Sequence, residues 1–409
     1  MSDTPPVRRL ADWPRDRLVR IADEYGTPAY VVDLDRIREN VDRVREAFPE
    51  AGIHYAVKAN AGRGVLETIA GTGIGAECAS AGEVRRALDG GFPTDSLLYT
   101  PVNPPDRDLD AVLEFGESLR AITVGAMDTI ERLAERDFTG DVAVRIHPGT
   151  GAGHSETVAT GADATFGIGV DRVPAAVERA TTQGMAVVGI HAHAGSGILD
   201  ESDLESYRAV LETLSRVASD LDADLDFIDV GGGFGVPYRP EERPLDLESI
   251  AESVRDALDG VPTEVLIEPG RYLVADAGVL LTKVNTVKPA GDTMLAGVDA
   301  GMTDLLRPAL YDAYHPVRSL ADDPRREVER VSVVGPICES TDVLARDRRL
   351  PEPRRGDLLG IGLTGAYGIE MASQYNSRPR APVVAVEDGT TRGIRRRERL
   401  EAITAPEQP

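Results

Sequence analysis

The stretch IHYAVKANAGRGVLETIAGTGIGAECASAGEVRRAL, residues 53–88, carries the reading of the fold. It opens on an apolar run at Ile53–Lys58, returns to a second at Gly75–Cys78 and turns amphipathic over Glu83–Leu88. Short apolar runs bounded by Gly suit buried strands, and charged residues at helical spacing suit a surface helix. The alternation continues through Leu97–Tyr99, Ile122–Val124, Val142–Ile146, Val187–Ala192, Phe227–Val230 and Val265–Glu268. Amphipathic stretches at Thr129–Glu135, Pro174–Gln183 and Leu204–Leu221 lie between them. Eight strand-like runs over about 240 residues match a TIM-like (β/α)8 barrel better than an open doubly wound sheet. The barrel is expected over residues 34–272.

Beyond about Arg271 the texture changes. VLLTKVNTVK, TMLAGVD, EVERVSVVG, GDLLGIGLTG and PVVAV are short β-rich runs between Gly, Pro and Asp turns, which predicts a β domain over residues 273–409. The run Arg395–Arg397, with Glu398 and Glu401 behind it, reads as a salt-bridged surface element.

Charge narrows the function. Across 409 residues, 45 Lys and Arg face 69 Asp and Glu, a formal charge of −24 that repels nucleic acid and anionic lipid. With 42% apolar residues the chain still has the material for a core. Lysine occurs only at positions 58, 283 and 288, so Arg carries nearly all the positive charge. An acidic coat of this kind suits a salt-rich, halophilic cytoplasm, and a merely acidic mesophile protein stays open as the alternative. Cys78 and Cys338 make no disulfide framework, the first residues lack a signal-like apolar core, and no apolar stretch is long enough to span a bilayer. A cytoplasmic protein without a membrane partner is expected.

Barrel enzymes place their chemistry at the carboxyl ends of the strands, and the reactive residues gather there. Lys58 ends the first strand, His193 and Ser196 follow the sixth, Gly231, Gly232 and Gly233 follow the seventh, and Glu268 with Arg271 ends the eighth. A lysine after an apolar strand can simply snorkel to solvent. In a chain that uses Arg almost everywhere, lysine at this point argues for amine chemistry that a guanidinium cannot perform, above all a Schiff base. The glycine run offers unobstructed backbone N–H groups to a phosphate, although a tight turn would use glycine too. His191 and His193 raise the question of a metal, but no third ligand lies at a convincing spacing, so no metal is expected. His191 reads as a satisfied core histidine, and His193 as a ring to stack on a planar cofactor. Lysine, phosphate-binding glycines and the Glu268 carboxylate together make a coherent pyridoxal phosphate site, with Glu268 holding the pyridine nitrogen protonated. The bland reading of Glu268 is an ion pair with Arg271. Cys338, followed by Glu339 and Asp342 in a turn bounded by Gly and Pro, is either an inert buried thiol or a placed acid.

In this order the motifs resemble the pyridoxal phosphate decarboxylases of fold type III, and within them the diaminopimelate decarboxylase family. The likeness runs from YGTPAYVVD at Tyr25–Asp33 through YAVKAN, ECASAGEV, HAHAGSG, DVGGGFG, EPGR, GMTDLLRPALY, GPICESTD and GAYG. It implies an alanine-racemase-type α/β barrel plus a C-terminal β domain, to which residues 1–33 return. It implies Lys58 as the cofactor's Schiff-base lysine and His193 as the stacking ring. Ser196, Gly231, Gly232, Gly233, Glu268, Gly270, Arg271 and Tyr367 become its cofactor contacts. Arg271, Arg307, Tyr311, Glu339 and Tyr367 become the substrate-binding set, and Cys338 the proton donor. In that family Cys338 and Glu339 reach a neighbouring subunit, so a homodimer with shared active sites is implied.

The implied reaction removes CO2 from meso-2,6-diaminopimelate to give L-lysine, the last step of lysine biosynthesis. Arg307 can grip the distal carboxylate as a fork and Glu339 the distal ammonium, a match that ornithine cannot complete. Rival readings are a decarboxylase of ornithine, arginine or carboxynorspermidine, an amino-acid racemase, and a non-catalytic carrier of the cofactor. The sequence departs from the family's habit at Glu77, where Asp is common, at Thr341, where a small residue is usual, and at Thr165, where Lys is frequent.

Overall fold

The computed structural model describes residues 5–115, 118–149, 152–153 and 166–407, so Thr165 lies outside the described residues. Two compact units form, one of Arg38–Gly235 with Leu245–Tyr272, the other of Met1–Ile37, Val236–Pro244 and Leu273–Pro409. In chain order, the first strands of three or more residues are β1 (Ala29–Asp33), β2 (Gly52–Ala56), β3 (Gly75–Cys78), β4 (Leu97–Tyr99) and β5 (Ala121–Val124). Then come β6 (Asp141–His147), β7 (Ala186–His191), β8 (Phe227–Asp229) and β9 (Glu264–Ile267).

From β2 to β9 each strand pairs in parallel with the next, and β9 pairs in parallel with β2. This closed ring is the (β/α)8 barrel that the alternation predicts. Strands β3, β4 and β5 are buried along their whole length, as expected when helices cover one face and the barrel interior the other. Leu98, Ala121, Ala143, Phe227 and Leu266 form one core cluster. Gly189 on β7 admits the Phe227 ring: a Cβ there would lie 2.4 Å from it. Helix ends are stopped by local chemistry. Ser80 Oγ accepts the Glu83 N–H at the start of Ala81–Asp89, and Asp200 with Asp203 forms a reciprocal cap on Glu201–Asp220.

The β-rich unit contains β10 (Gly278–Ala290), β11 (Thr293–Val298), β12 (Val317–Ser319) and β13 (Val328–Val334). It continues with β14 (Val343–Pro351), β15 (Leu358–Gly362), β16 (Val383–Glu387) and β17 (Thr390–Arg395). The strand order is β14-β13-β11-β10-β1-β16-β17, with β15 joined to β10 and β12. β1 lies inside this sheet, antiparallel to β10 and parallel to β16. Arg36, fully buried, donates to Asp276 Oδ2 at 2.8 Å and to the carbonyls of Pro5 and Pro6, and Arg8 N donates to the same carboxylate. A buried pair with its remaining donors satisfied ties the early chain to the sheet.

The division differs from the expected boundaries at two places. Residues 34–37 and 236–244 group with the β-rich unit, the latter because Arg9 donates to the carbonyls of Pro237, Arg239 and Glu242. Among the described residues no helix is long and apolar enough to cross a membrane.

Candidate active site

Five consecutive strand ends of the barrel carry the reactive groups, in the spatial order β7, β8, β9, β2, β3. Strand β2 stops at Ala56, so Lys58 stands in the 3-10 turn Val57–Ala59 just beyond it rather than on the strand. Its Nζ lies 2.6 Å from Glu77 Oε2 on β3, with Lys58 40% exposed and Glu77 2%. Burial pushes the Glu77 carboxyl up to about 7, against the pull of Lys58. Near neutral pH the Glu77 carboxyl is therefore poised between its two protonation states, 2.6 Å from the Lys58 amine.

Behind it, His191, Asp229 and Glu268 bring three ligating groups within 4.8 Å of one another. His191 Nε2 is 3.5 Å from Glu268 Oε2, and neither ring nitrogen has a hydrogen bond of good geometry. This corrects the satisfied core histidine expected from sequence. It also gives Glu268 an imidazole neighbour, whose own protonation burial disfavours, where Arg271 was expected. Burial, with Glu268 beside it, raises the Asp229 pKa well above its ordinary value, which disfavours the ionised form a metal ligand takes. Burial opposes the Glu268 charge, but His191 and Lys58 outweigh it and hold its pKa below the ordinary range. Arg145 on β6, missed in the sequence, adds a guanidinium that senses Glu268, Glu77 and Asp229. An Arg inside the apolar run VAVRIH was the available signal. Lys58 and Arg145 are thus the cations set against the buried carboxyl groups of Glu268, Asp229 and Glu77.

The loop after β8 needs its glycines for space. Gly231 and Gly233 have φ of 69° and 95°, and a Cβ on Gly232 would lie 2.1 Å from the Glu268 carbonyl oxygen. Gly231 N donates to Asp229 Oδ1 at 2.8 Å and Gly232 N to His193 Nδ1 at 3.4 Å. Burial, with the cations Lys58 and Arg145, holds His193 down at about 3, a neutral ring at physiological pH. Arg271 Nη2 donates to Ser196 Oγ at 3.2 Å. Gly270 lets the turn close on Ala56 and Ala59, where a Cβ would meet methyls at 3.0 and 3.2 Å.

Residues 34–275 match the family model for the pyridoxal binding domain of pyridoxal-dependent decarboxylases. The diaminopimelate decarboxylase of Methanothermobacter thermautotrophicus is 42% identical over 396 residues, 93% of this chain and 91% of that one. That of Aquifex aeolicus is 35% identical over 400 residues, covering 95% and 93%. The chain belongs to the pyridoxal-dependent decarboxylases, in their diaminopimelate decarboxylase branch. The crystal structure of the Helicobacter pylori diaminopimelate decarboxylase with L-lysine superimposes with a TM-score of 0.90 at 32% identity, covering 95% of this chain and 98% of that one.

The decarboxylase cofactor fits the barrel residues. Glu268 Oε1 is buried with no hydrogen-bond partner, an acceptor suited to a pyridinium N–H. With the Gly231 and Gly232 N–H groups bonded to Asp229 and His193, the Gly233 N–H, the Ser196 hydroxyl and the Arg271 guanidinium are the donors that suit a phosphate.

The β-rich unit holds the rest of the expected set. Arg307 begins the short helix Arg307–Tyr311, is 3% exposed, and has its guanidinium 4.8 Å from the Tyr238 ring centroid. Its Nη1 meets His315 Nε2 at 2.9 Å, while His315 Nδ1 meets the Gly362 carbonyl at 3.0 Å. A carbonyl only accepts and a guanidinium only donates, so His315 is the Nδ1–H tautomer. His315 and Tyr238 were not foreseen. Tyr311 and Tyr367 are half-buried. Tyr367 has φ of 55°, and its motif packs closely: a Cβ on Gly365 would lie 1.9 Å from the Val274 carbonyl oxygen. Cys338 is exposed, which excludes the inert buried thiol, whereas Cys78 is buried. Glu339 is exposed beside it.

Proposed function

We propose that the protein decarboxylates meso-2,6-diaminopimelate to L-lysine and CO2 with pyridoxal phosphate, the last step of lysine biosynthesis. One arrangement carries this: a lysine, a buried unpartnered carboxylate oxygen and a glycine cradle on adjacent strand ends of one barrel. The near full-length likeness to proteins named diaminopimelate decarboxylase supports the substrate.

Bound pyridoxal phosphate supplies the electron sink that lets the α-carboxylate leave as CO2. In this reading Lys58 holds the cofactor's aldehyde, and Glu77 takes or returns the lysine proton, which its raised pKa allows at neutral pH. Glu268, kept ionised by His191 and Lys58, accepts the ring N–H. Neutral His193 gives the ring an aromatic face without adding charge. Gly231, Gly232, Gly233, Ser196, Gly270, Arg271 and Tyr367 hold the phosphate and its surroundings. Arg307, steadied by His315, receives the distal carboxylate, and Glu339 the distal ammonium, with Tyr311 and Arg271 completing the substrate contacts. Cys338 returns the proton to the α-carbon. Cys338 and Glu339 serve the barrel of a second copy, in a cytoplasmic homodimer adapted to high salt. No metal takes part.

The test is incubation of purified protein with pyridoxal phosphate and meso-diaminopimelate in high salt, with lysine and CO2 as the expected products. Inversion of the substrate without CO2 release, or preferential turnover of ornithine or arginine, overturns the assignment. Lys58→Ala is expected to fold, to lose turnover and to retain no borohydride-fixed cofactor.

A further inference from the structure

The turn between β13 and β14 is anchored at its base and bare at its tip. Asp342, 3% exposed, accepts N–H groups from Ile337 and Met302, each at 2.6 Å. Gly335 makes room for it, since a Cβ there would fall 2.3 Å from the carboxylate. Residues 338–341 at the tip are all exposed, so packing does not fix them. Hydrogen bonds do: Asp342 N donates to the Glu339 carbonyl, the Thr341 hydroxyl donates to Met302 Sδ at 3.9 Å, and two side chains from one other segment hold Cys338 and Glu339. Asn376 Oδ1 accepts the Cys338 N–H at 3.0 Å, and the Tyr375 hydroxyl donates to Glu339 Oε1 at 2.5 Å. Glu339 Oε2 has no partner among the described residues and stays available to a cation.

The segment is built for this grip at a conformational cost. Asn376 and Ser377 have φ of 57° and 52°, left-handed conformations in an exposed turn with no burial to impose them. Asparagine tolerates that conformation better than other residues with a side chain, and it also carries the carbonyl that the Cys338 N–H needs.

We infer that Tyr375 and Asn376 are positioning residues for the reaction: Asn376 sets the backbone of Cys338 and hence its thiol, and Tyr375 sets the Glu339 carboxylate. The inference rests on the proposed roles of Cys338 as proton donor and Glu339 as ammonium ligand. The two bonds then serve different steps. Loss of the Tyr375 hydroxyl leaves Glu339 free to rotate away from the distal ammonium, which weakens substrate binding. Loss of the Asn376 acceptor lets the thiol wander from the α-carbon, which slows the step after CO2 has left.

Steady-state kinetics on the holoenzyme separate these effects. Tyr375→Phe is expected to raise KM for diaminopimelate about tenfold with kcat within about twofold, the size of one hydrogen bond to a charged group. Asn376→Gly keeps the left-handed turn without strain, so the fold is retained. It is expected to lower kcat about tenfold with KM and the cofactor absorbance unchanged. Asn376→Asp, which keeps an acceptor oxygen and tolerates the same φ, is expected to recover most of that loss. Cys338→Ala run alongside distinguishes the two failures. If it turns over at the wild-type rate, the proton-donor reading falls and this inference with it. If it is slow while Asn376→Gly is normal, or if Tyr375→Phe leaves KM unchanged, the positioning role alone is overturned.

Discussion

Glu77 meets Lys58 at 2.6 Å while almost wholly shielded from water, and the two facts act on its proton in opposite directions. Burial wins, so the folded carboxyl titrates near 7 against an ordinary 4.5. Its folded pKa is the raised one, so the native chain holds a proton that the unfolded chain has released between those values. The Glu77 contribution is therefore full below about 4.5 and is lost as pH rises through 7. Glu77→Gln is expected to remove that loss. Thermal unfolding at pH 5 and pH 8 should show a smaller difference between the two conditions in the variant than in the wild type, and an equal difference would show that Glu77 is ionised throughout. The sequence marked Glu77 only as a departure from habit. Its role depends on Lys58, 19 positions away in the chain, and such a neighbour is set by sheet pairing rather than by any local pattern.

At the scale of elements, the loop after β8 shows why a glycine run is ambiguous when read alone. Both explanations hold here: the turn needs left-handed φ at Gly231 and Gly233, and Gly232 needs an empty Cβ position against the Glu268 carbonyl. Gly232→Ala is expected to push the β8 and β9 loops apart and weaken pyridoxal phosphate binding by about tenfold or more, with the barrel's far-ultraviolet circular dichroism retained. Gly82, in the helix Ala81–Asp89, is the contrast. A Cβ there meets nothing closer than 3.7 Å, so Gly82→Ala should stabilise by up to about 1 kcal/mol in chemical denaturation and leave cofactor affinity unchanged. Equal effects of the two substitutions would remove the steric argument. The strands themselves were legible, down to Gly75–Cys78 and Leu97–Tyr99, because buried parallel strands are apolar on both faces. The end of β2 was not, since Val57 continues the apolar run up to Lys58 while the backbone has already entered a 3-10 turn.

For the whole molecule, a charge of −24 should make stability depend on salt. Self-repulsion is screened as the Debye length falls from about 10 Å at 0.1 M to about 3 Å at 1 M, so the melting temperature is expected to rise with potassium chloride over that range. A flat dependence would remove the argument for a salt-adapted coat. The proposed shared site gives a second test. Mixing Cys338→Ala with Lys58→Ala should restore activity, because a hybrid dimer holds one site with both groups intact. Random exchange makes half the dimers hybrid with one of two sites complete, a ceiling of about a quarter of wild-type activity for a two-fold dimer. Fully exchanged mixtures no more active than the separate mutants would exclude sharing.

The sequence by itself determined which segments are the eight barrel strands, that they alternate with helices, and that an uncommon lysine stands at a strand end. Each of these is a local matter of period and residue type, and burial on a strand or helix face is written at that spacing. Tertiary structure decided what faces what. Closure of β9 on β2 sets Lys58 beside the Glu268 strand end across some two hundred residues of chain. Return of β1 to the sheet of β10 and β16 places the early chain in the β-rich unit. The raised pKa of Asp229, the neutral His193, the His315 tautomer behind Arg307 and the grip of Tyr375 and Asn376 on the Cys338 turn all arise from such pairings. Charge states and hydrogen bonds depend on distance in space, and spacing along the chain fixes that distance only within a turn or two of helix or strand.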